Sequence, residues 1–385
     1  MTTTVHIEGD VLEGWEGLNV SRSIEDAVST ASFTAPLRWP RDPNPTRIRT
    51  GSLVQVYDDD DQMFYGYADA MTPNTDENGT IVSVDARSAT ADLVDCPVIT
   101  EPYSWQQMTM LDIAIAIAAP YQVSIIARTV ADDVIGKPID FRAELGEPVF
   151  ECIERLAQSA GVLVTDDGEG RIVLTKSQTA FGMLDAIIGL PVLEVGVNVE
   201  NPSATFRHDQ RYSEYRVYGQ RPGGNADYGN SVALQRAIVV DPEVERYRVL
   251  TIMASQRATL QQLHDRAVWE AVTRAGQSVS ASYDVVGWRR PDGKLWAPGQ
   301  LVIVKDPIRA INATMVISAV NWGLATGGRR ASLSVAPPEG FELMPTIKDP
   351  VTEKQKLSKP VTPGEKYGLW LTADQVAAIV KESGG

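Results

Sequence analysis

The sequence predicts a mainly β protein with α+β parts, built as two similar small β-barrel domains plus α+β domains. Three observations carry this. Short apolar runs alternate with polar residues from Val5 to about Ser88, and again after about residue 181. The period changes to that of helices between about 100 and 180, and once more from Gln256. One strand-and-turn pattern, Gly-x-Leu-Val-x-Val-x-Asp, occurs at Gly51–Asp58 and again at Gly299–Asp306.

The first region, residues 1–99, reads as the first β-barrel domain. Leu53–Tyr57 and Ile81–Val84 alternate as strands do. Turn clusters separate such runs, at Arg41-Asp42-Pro43-Asn44-Pro45 and at Asn74 to Gly79. Residues 100–180 read as an α+β domain. Thr109–Ala119 has Thr109 as N-cap, Asp112 three residues on and Pro120 as a stop. Glu147–Ala160 has Pro148 in its first turn and a face of Phe150, Ile153, Leu156, Ala157 and Ala160, with Gly161 as cap. A hairpin follows, Val162–Thr165 and Arg171–Thr175, turning at Asp166-Asp167-Gly168-Glu169-Gly170.

Residues 181–345 read as the second β-barrel domain with an α+β insertion around 240–285. Its helix, Gln256–Ala275, carries Leu260, Leu263, Ala267, Val268, Ala271 and Val272 on one face, and Gly276 follows as cap. The strands after it are Ser278–Val286, Leu301–Val304, Thr314–Val320 and Ala331–Val335. Residues 346–385 read as a polar linker, Lys348–Pro363, and a C-terminal helix, Thr372–Glu382, with Val376, Ile379 and Val380 as a small stripe. So short a helix is marginal without packing. It reads either as a frayed tail or as a docking arm.

The two copies of the eight-residue pattern continue alike. Each is followed by a second strand (Met63–Met71; Thr314–Trp322), a glycine turn (Gly79; Gly327-Gly328) and a third strand (Ile81–Asp85; Ala331–Val335). Glycine ends a turn, alternate residues face a core, and aspartate opens the next turn. One copy is ordinary in a β protein; two with the same continuation point to an internally duplicated β domain.

The search for chemistry yields little. With 35 Lys and Arg against 50 Asp and Glu the formal charge is −15, which argues against tight nucleic-acid binding and against an anionic membrane surface. The start, MTTTVHIEGD, lacks a secretory signal, and the longest apolar stretch, Ile113–Ala119, is far below the ~18 residues of a membrane span. Cys96 and Cys152 read as buried cytoplasmic thiols. His6, His208 and His264 are scattered, and no phosphate loop, His-Glu-x-x-His pair or Gly-x-Ser-x-Gly elbow occurs. Asp58–Asp61 reads as a solvated hairpin tip rather than a cation site, and Asp166–Gly170 as a tight hairpin rather than a calcium loop. Trp288, Trp296 and Trp322 fit core packing better than a sugar groove. No catalytic, cofactor or metal residue is assigned.

Three motifs in order carry a resemblance. Ala86-Arg87-Ser88-Ala89-Thr90-Ala91-Asp92-Leu93-Val94-Asp95-Cys96 is similar to a Gly-Arg-Ser…Asp-Leu-Val-Asp-Cys stretch, with Ala86 in place of glycine. Tyr215-Arg216-Val217-Tyr218-Gly219-Gln220 is similar to a Tyr-x-Val-x-Gly-Gln strand. Val286-Gly287-Trp288-Arg289, followed by Gly293-Lys294-Leu295-Trp296-Ala297-Pro298-Gly299-Gln300-Leu301-Val302, is similar to Gly-Trp-Arg and Gly-x-Leu-Trp-x-Pro segments. Together, over about residues 10–340, these resemble the baseplate hub proteins of Mu-like contractile-tailed phages, related to the hub part of type VI secretion spikes.

The resemblance implies a structural, non-enzymatic homotrimer. Its two barrels per chain would form a pseudo-sixfold trimeric ring joining the sixfold tail tube to the threefold membrane-piercing spike. The expected partners are spike protein, tail tube protein and other baseplate proteins, with DNA only as passing cargo and no direct membrane insertion. The expected place is the virion tail baseplate, assembled in the bacterial host cytoplasm, and no cofactor is implied. Two other readings stay open: a tail-associated cell-wall glycan hydrolase, and a carbohydrate-binding tip protein.

Overall fold

The computed structural model describes residues 2–36, 48–76, 79–128, 135–136, 138–175, 190–219, 235–254 and 258–341. The Arg41–Pro45 turn, Gln220, the linker and the Thr372–Glu382 helix lie outside them. The chain divides into two compact units: Met1–Pro202 with Ser282–Val302 and Val316–Val335, and Ser203–Ala281 with Ile303–Met315 and Ala336–Gly385.

The first β region comprises β1 (Thr3–Ile7), β2 (Asp10–Leu12), β3 (Glu16–Ser23), β4 (Thr30–Pro36), β5 (Leu53–Asp58), β6 (Asp61–Asp76) and β7 (Gly79–Ser88). A mixed region follows: α1 (Ala91–Asp95), β8 (Ser104–Thr109), α2 (Met110–Ala118), β9 (Ile125–Arg128), β10 (Pro138–Arg142), α3 (Val149–Ala160), β11 (Leu163–Asp166) and β12 (Ile172–Thr175). Then come β13 (Val192–Glu194), β14 (Glu200–Phe206), β15 (Glu214–Gly219), β16 (Gln235–Val240), β17 (Val249–Met253) and α4 (Leu260–Gln277). The last strands are β18 (Val279–Val286), β19 (Leu301–Asp306), β20 (Ile311–Ala325) and β21 (Gly328–Ala336).

The duplication read from the sequence is present as sheet topology. One run of strands is ordered β3-β4-β7-β6-β5-β1, with β2 beyond β1. The other is ordered β14-β18-β21-β20-β19-β13. These are the same order with corresponding strands in the same chain sequence. β5 and β19 both bury every second side chain, ending at Asp58 and Asp306, which are 0% exposed. The hydrogen bonds that open the second strand also repeat. Gly51 N donates to Ala68 O and Ala68 N to Ser52 O; Gly299 N donates to Ile317 O and Ile317 N to Gln300 O. Ala68 therefore corresponds to Ile317, a shift of two residues from the pairing of Met63–Met71 with Thr314–Trp322. A β-bulge in the β5–β6 ladder, between Val56 and Tyr57, interrupts the simple register. The two runs meet where Ala319–Leu324 of β20 pairs antiparallel with Leu18–Ser23 of β3.

Between the runs, β9-β12-β11 form a small sheet, with β12 parallel to β9 and antiparallel to β11. Thr109 caps α2 by accepting from Asp112 N, and Gly161 ends α3 at φ 67°, a left-handed turn that suits glycine. Ile113, Ile117, Val149, Ile153 and Leu156 share one core with Leu93, Ile172 and Leu174. Each such side chain contributes about 1.5–3 kcal/mol relative to exposure.

In the other unit, β16-β15-β17 form a sheet whose Tyr215, Val217, Ala237 and Val239 pack on Leu263, Ala267, Val268 and Ala271 of α4. The helix expected from Gln256 opens at Leu260, because Thr259 and Gln262 form a reciprocal capping box. The α+β group inserted between β14 and β18 opens at Glu214, earlier than the expected 240. β15 has ordinary strand alternation, and only its pairing to β16 and β17 separates it from the duplicated runs.

Candidate functional site

The residues that sequence reading offered for chemistry are each accounted for locally. His6 Nε2 lies 3.1 Å from Thr4 Oγ1, and its ring meets Tyr57 edge-on. His208 follows β14 beside a cleft of about 360 Å3 that includes Glu243, Arg246 and Arg248. His264 sits on α4, with Nδ1 4.0 Å from Asp265. Cys96 is half-buried and Cys152 buried, both free thiols; burial, then the Glu147 carboxylate, pushes the Cys152 thiol up to about 12. Among the described residues no three His, Cys, Asp or Glu side chains gather as a metal site. No helix among them is long and apolar enough to cross a membrane.

Trp288, Trp296 and Trp322 are all buried, so they line no sugar groove. Trp288 Nε1 donates to Gly323 O and Arg330 O at 3.1 Å each.

The acidic run at the β5–β6 turn corrects the solvated-tip reading. Asp58 is fully buried, while Asp59 and Asp61 are largely exposed. Arg289 Nε donates to Asp58 Oδ2 at 2.9 Å and Nη2 to Asp58 O at 2.8 Å. Arg289 Nη1 reaches Asp61 at 2.7 Å and Gly293 O at 2.9 Å. Arg329 Nη1 lies 3.1 Å from Asp58 Oδ1, its Nη2 donates to Thr3 Oγ1 at 2.6 Å, and its guanidinium stacks 5.0 Å from the Trp288 ring. The Gly-Trp-Arg motif thus ties the strand run of β18 and β21 to the turn of the first run. Asp306, the corresponding aspartate, is held within its own turn by Arg309 at 3.0 Å. Arg329 and Thr3 gave no sequence signal, because Arg329 lies more than two hundred positions after Asp58 and Thr3 more than fifty before it.

The Asp166–Gly170 turn is a tight hairpin, as expected, and it packs on the first β region. Asp166 Oδ2 accepts from Ser29 N at 3.3 Å and Thr90 Oγ1 at 3.2 Å, and Oδ1 from Gly168 N at 2.5 Å. Asp167 accepts from Glu169 N at 2.9 Å and pairs with Arg171 at 2.6 Å. The two buried carboxylates accept from backbone N–H groups and the Thr90 hydroxyl and pair with Arg171. Gly168 (φ +82°) and Gly170 (φ +76°) are required: an added Cβ would come 2.7 Å from Met63 O and 2.6 Å from Tyr65. Beside this turn lies a cleft of about 380 Å3, lined by Arg22, Ile24, Arg128, Asp166, Asp167 and Gln300 among others. Burial lowers the Arg22 pKa, opposed by the Asp166 and Asp167 charges. Its lining carries no histidine or cysteine.

What the described residues offer is a duplicated β framework with polar staples. Comparisons place it beside known proteins. A model of the N-terminal domain of Mu phage GpP-like baseplate assembly proteins matches residues 2–88. One of the second domain of gp44-like baseplate hub proteins matches 90–176, and one of the fourth domain of Mu phage baseplate assembly protein GpP matches 259–344. The baseplate hub protein gp44 of Escherichia phage Mu is 27% identical over 354 residues, 90% of each chain. A 43 kDa tail protein of prophage MuSo2 from Shewanella oneidensis superposes at TM-score 0.72 and 27% identity, over 88% of this chain and 99% of that one. An E. coli type VI secretion component shares the fold at TM-score 0.51 and 12% identity, over 91% and 81%. The chain is similar to the baseplate hub proteins of Mu-like contractile-tailed phages over nine-tenths of its length, and that similarity supports a structural baseplate hub role.

Proposed function

We propose that the chain works as a homotrimer that joins a sixfold tail tube to a threefold spike, without catalysing a reaction. The single observation that carries this is the repeated strand order, β3-β4-β7-β6-β5-β1 and β14-β18-β21-β20-β19-β13. Three chains with two such units each present six related surfaces on one side while keeping threefold symmetry in everything else. That is what a sixfold-to-threefold adaptor requires. In this reading each run closes into a barrel, with domains at 1–99, 100–180 and 181–345 and a tail at 346–385. Assembly takes place in the host cytoplasm, with spike, tube and other baseplate proteins as partners and DNA as passing cargo. The excess of 15 negative charges fits a surface along which DNA moves without binding.

Light scattering on the purified chain tests the reading. The expected mass is three times 41.9 kDa, and the trimer should capture purified spike and tube proteins. A monomer at all concentrations, or turnover of peptidoglycan, would overturn it.

A further inference from the structure

The duplication has a consequence for how copies meet. Within the chain, the far half of β20 pairs with β3, so the second run passes directly into the first. The strand corresponding to β20 is β6, and the strand corresponding to β3 is β14. Among the described residues β14 ends the sheet path, and the far half of β6 pairs on one side, with β7, and carries no ladder on the other. Each run therefore has the same two edges; one pair of edges is joined inside the chain and the other is left open.

The correspondence extends to single residues. Ala68 matches Ile317 by the shared hydrogen bonds, and β6 ends at Asp76 before β7 opens at Gly79 just as β20 ends at Ala325 before β21 opens at Gly328. Hence Ala319–Leu324 match Ala70–Thr75. On the other side, Arg207 N donates to Ser278 O, and Gly287 N to Arg329 O. Set against the pairing of Thr30 with Ser21 and Arg87, these match Ser21 to Thr205, so that Leu18–Ser23 match Pro202–Arg207.

We propose that residues 70–75 of β6 in one copy of this chain pair antiparallel with residues 202–207 of β14 in the next, in the register of the internal junction. Trp322 opposite Val20 and Val320 opposite Arg22 then become Pro73 opposite Ala204 and Met71 opposite Phe206. Phe206 is 58% exposed in the single chain and gains a cross-strand neighbour there. Strand alternation turns Pro73 and Pro202 toward the open edges, where each removes one donor from the ladder. Such prolines blunt promiscuous strand addition while tolerating a matched partner. The junction between copies is accordingly the weaker of the two. It also lacks the arginine staple: Thr80 stands where Arg329 stands in the second run, and Asp306 is neutralised by its own Arg309.

The inference rests on the trimeric reading and is tested beside it. Thr72 and Thr205 fall opposite each other as a non-hydrogen-bonded pair, whose Cβ separation of roughly 4.5–5.5 Å lets a disulfide form with small adjustment. The double variant T72C/T205C is oxidised and run without reductant, beside T72C and T205C alone and beside the off-register T72C/S203C. All these positions are exposed. The expected result is covalent trimer from T72C/T205C and only monomer from the controls. Trimeric mass by light scattering without that link, or with equal linking in T72C/S203C, would overturn the edge pairing and leave the trimeric hub standing. A monomer by light scattering with no link would overturn both.

Discussion

Replacing Asp58 by alanine removes the carboxylate on which Arg289 and Arg329 converge. Asp58 is fully buried, and Arg289 and Arg329 have side chains only 14% and 19% exposed. Breaking a buried ion pair by deleting one partner costs about 3–5 kcal/mol, because the charge left behind stays desolvated. Here Arg289 keeps Asp61 and two carbonyl oxygens, and Arg329 keeps Thr3 and the Trp288 face. The expected loss therefore sits near the low end, about 3 kcal/mol. At roughly 2–4 °C per kcal/mol for a domain of this size, the melting midpoint should fall by about 6–12 °C. Calorimetry on D58A, R289A and the double variant is the assay. The two changes must be non-additive, with a coupling of about 1 kcal/mol or more, because the groups share one network. D306A is the comparison: Arg309 is 25% exposed and three residues away, so it can turn to water, and the loss should be about 1 kcal/mol. A D58A protein within about 0.5 kcal/mol of the parent, or strict additivity with R289A, would refute the staple.

Three more outcomes follow from the same geometry. Gly168→Ala should lose about 2 kcal/mol or more, since left-handed backbone alone costs roughly 1–2 kcal/mol for a side-chain residue and the new Cβ meets Met63 O; urea titration reads it. Glu147 is held below the usual carboxylate range, first by hydrogen bonds from Arg155 and also by Glu144 N, against opposing burial. A carboxylate depressed in the fold adds stability above its unfolded value and loses it on acidification through the folded value. The melting gap between the parent and E147Q should thus be widest at neutral pH and close towards about pH 3. Cys152, pushed up to about 12 by burial, should resist iodoacetamide at about pH 8 while Cys96 reacts, and both should label in denaturant; equal native rates would contradict the buried thiol.

How much of this was legible in the sequence depends on how local each cause is. Thr109 with Asp112, and Gly161 after its helix, were readable because a cap and its helix lie within a few residues. The duplicated β domain was readable because alternation and turn glycines repeat together. Its residue register was not, since the turn after the first strand is longer in the second copy while a β-bulge adds a residue in the first, and neither leaves a mark in composition. Asp58 was misread for a different reason. Four consecutive aspartates look like an exposed tip, and nothing near them announces that Arg289 and Arg329 fold back to bury the first. The candidate site shows the same division. Chemistry at a catalytic centre leaves residue types that can be searched for, whereas an assembly surface is made of ordinary strand edges. The open edges of β6 and β14 carry no such residue types and show only in the repeated strand order. On the proposed edge pairing, the internal β20–β3 junction serves as the template for the contact between copies, so that this interface would be partly written inside each copy.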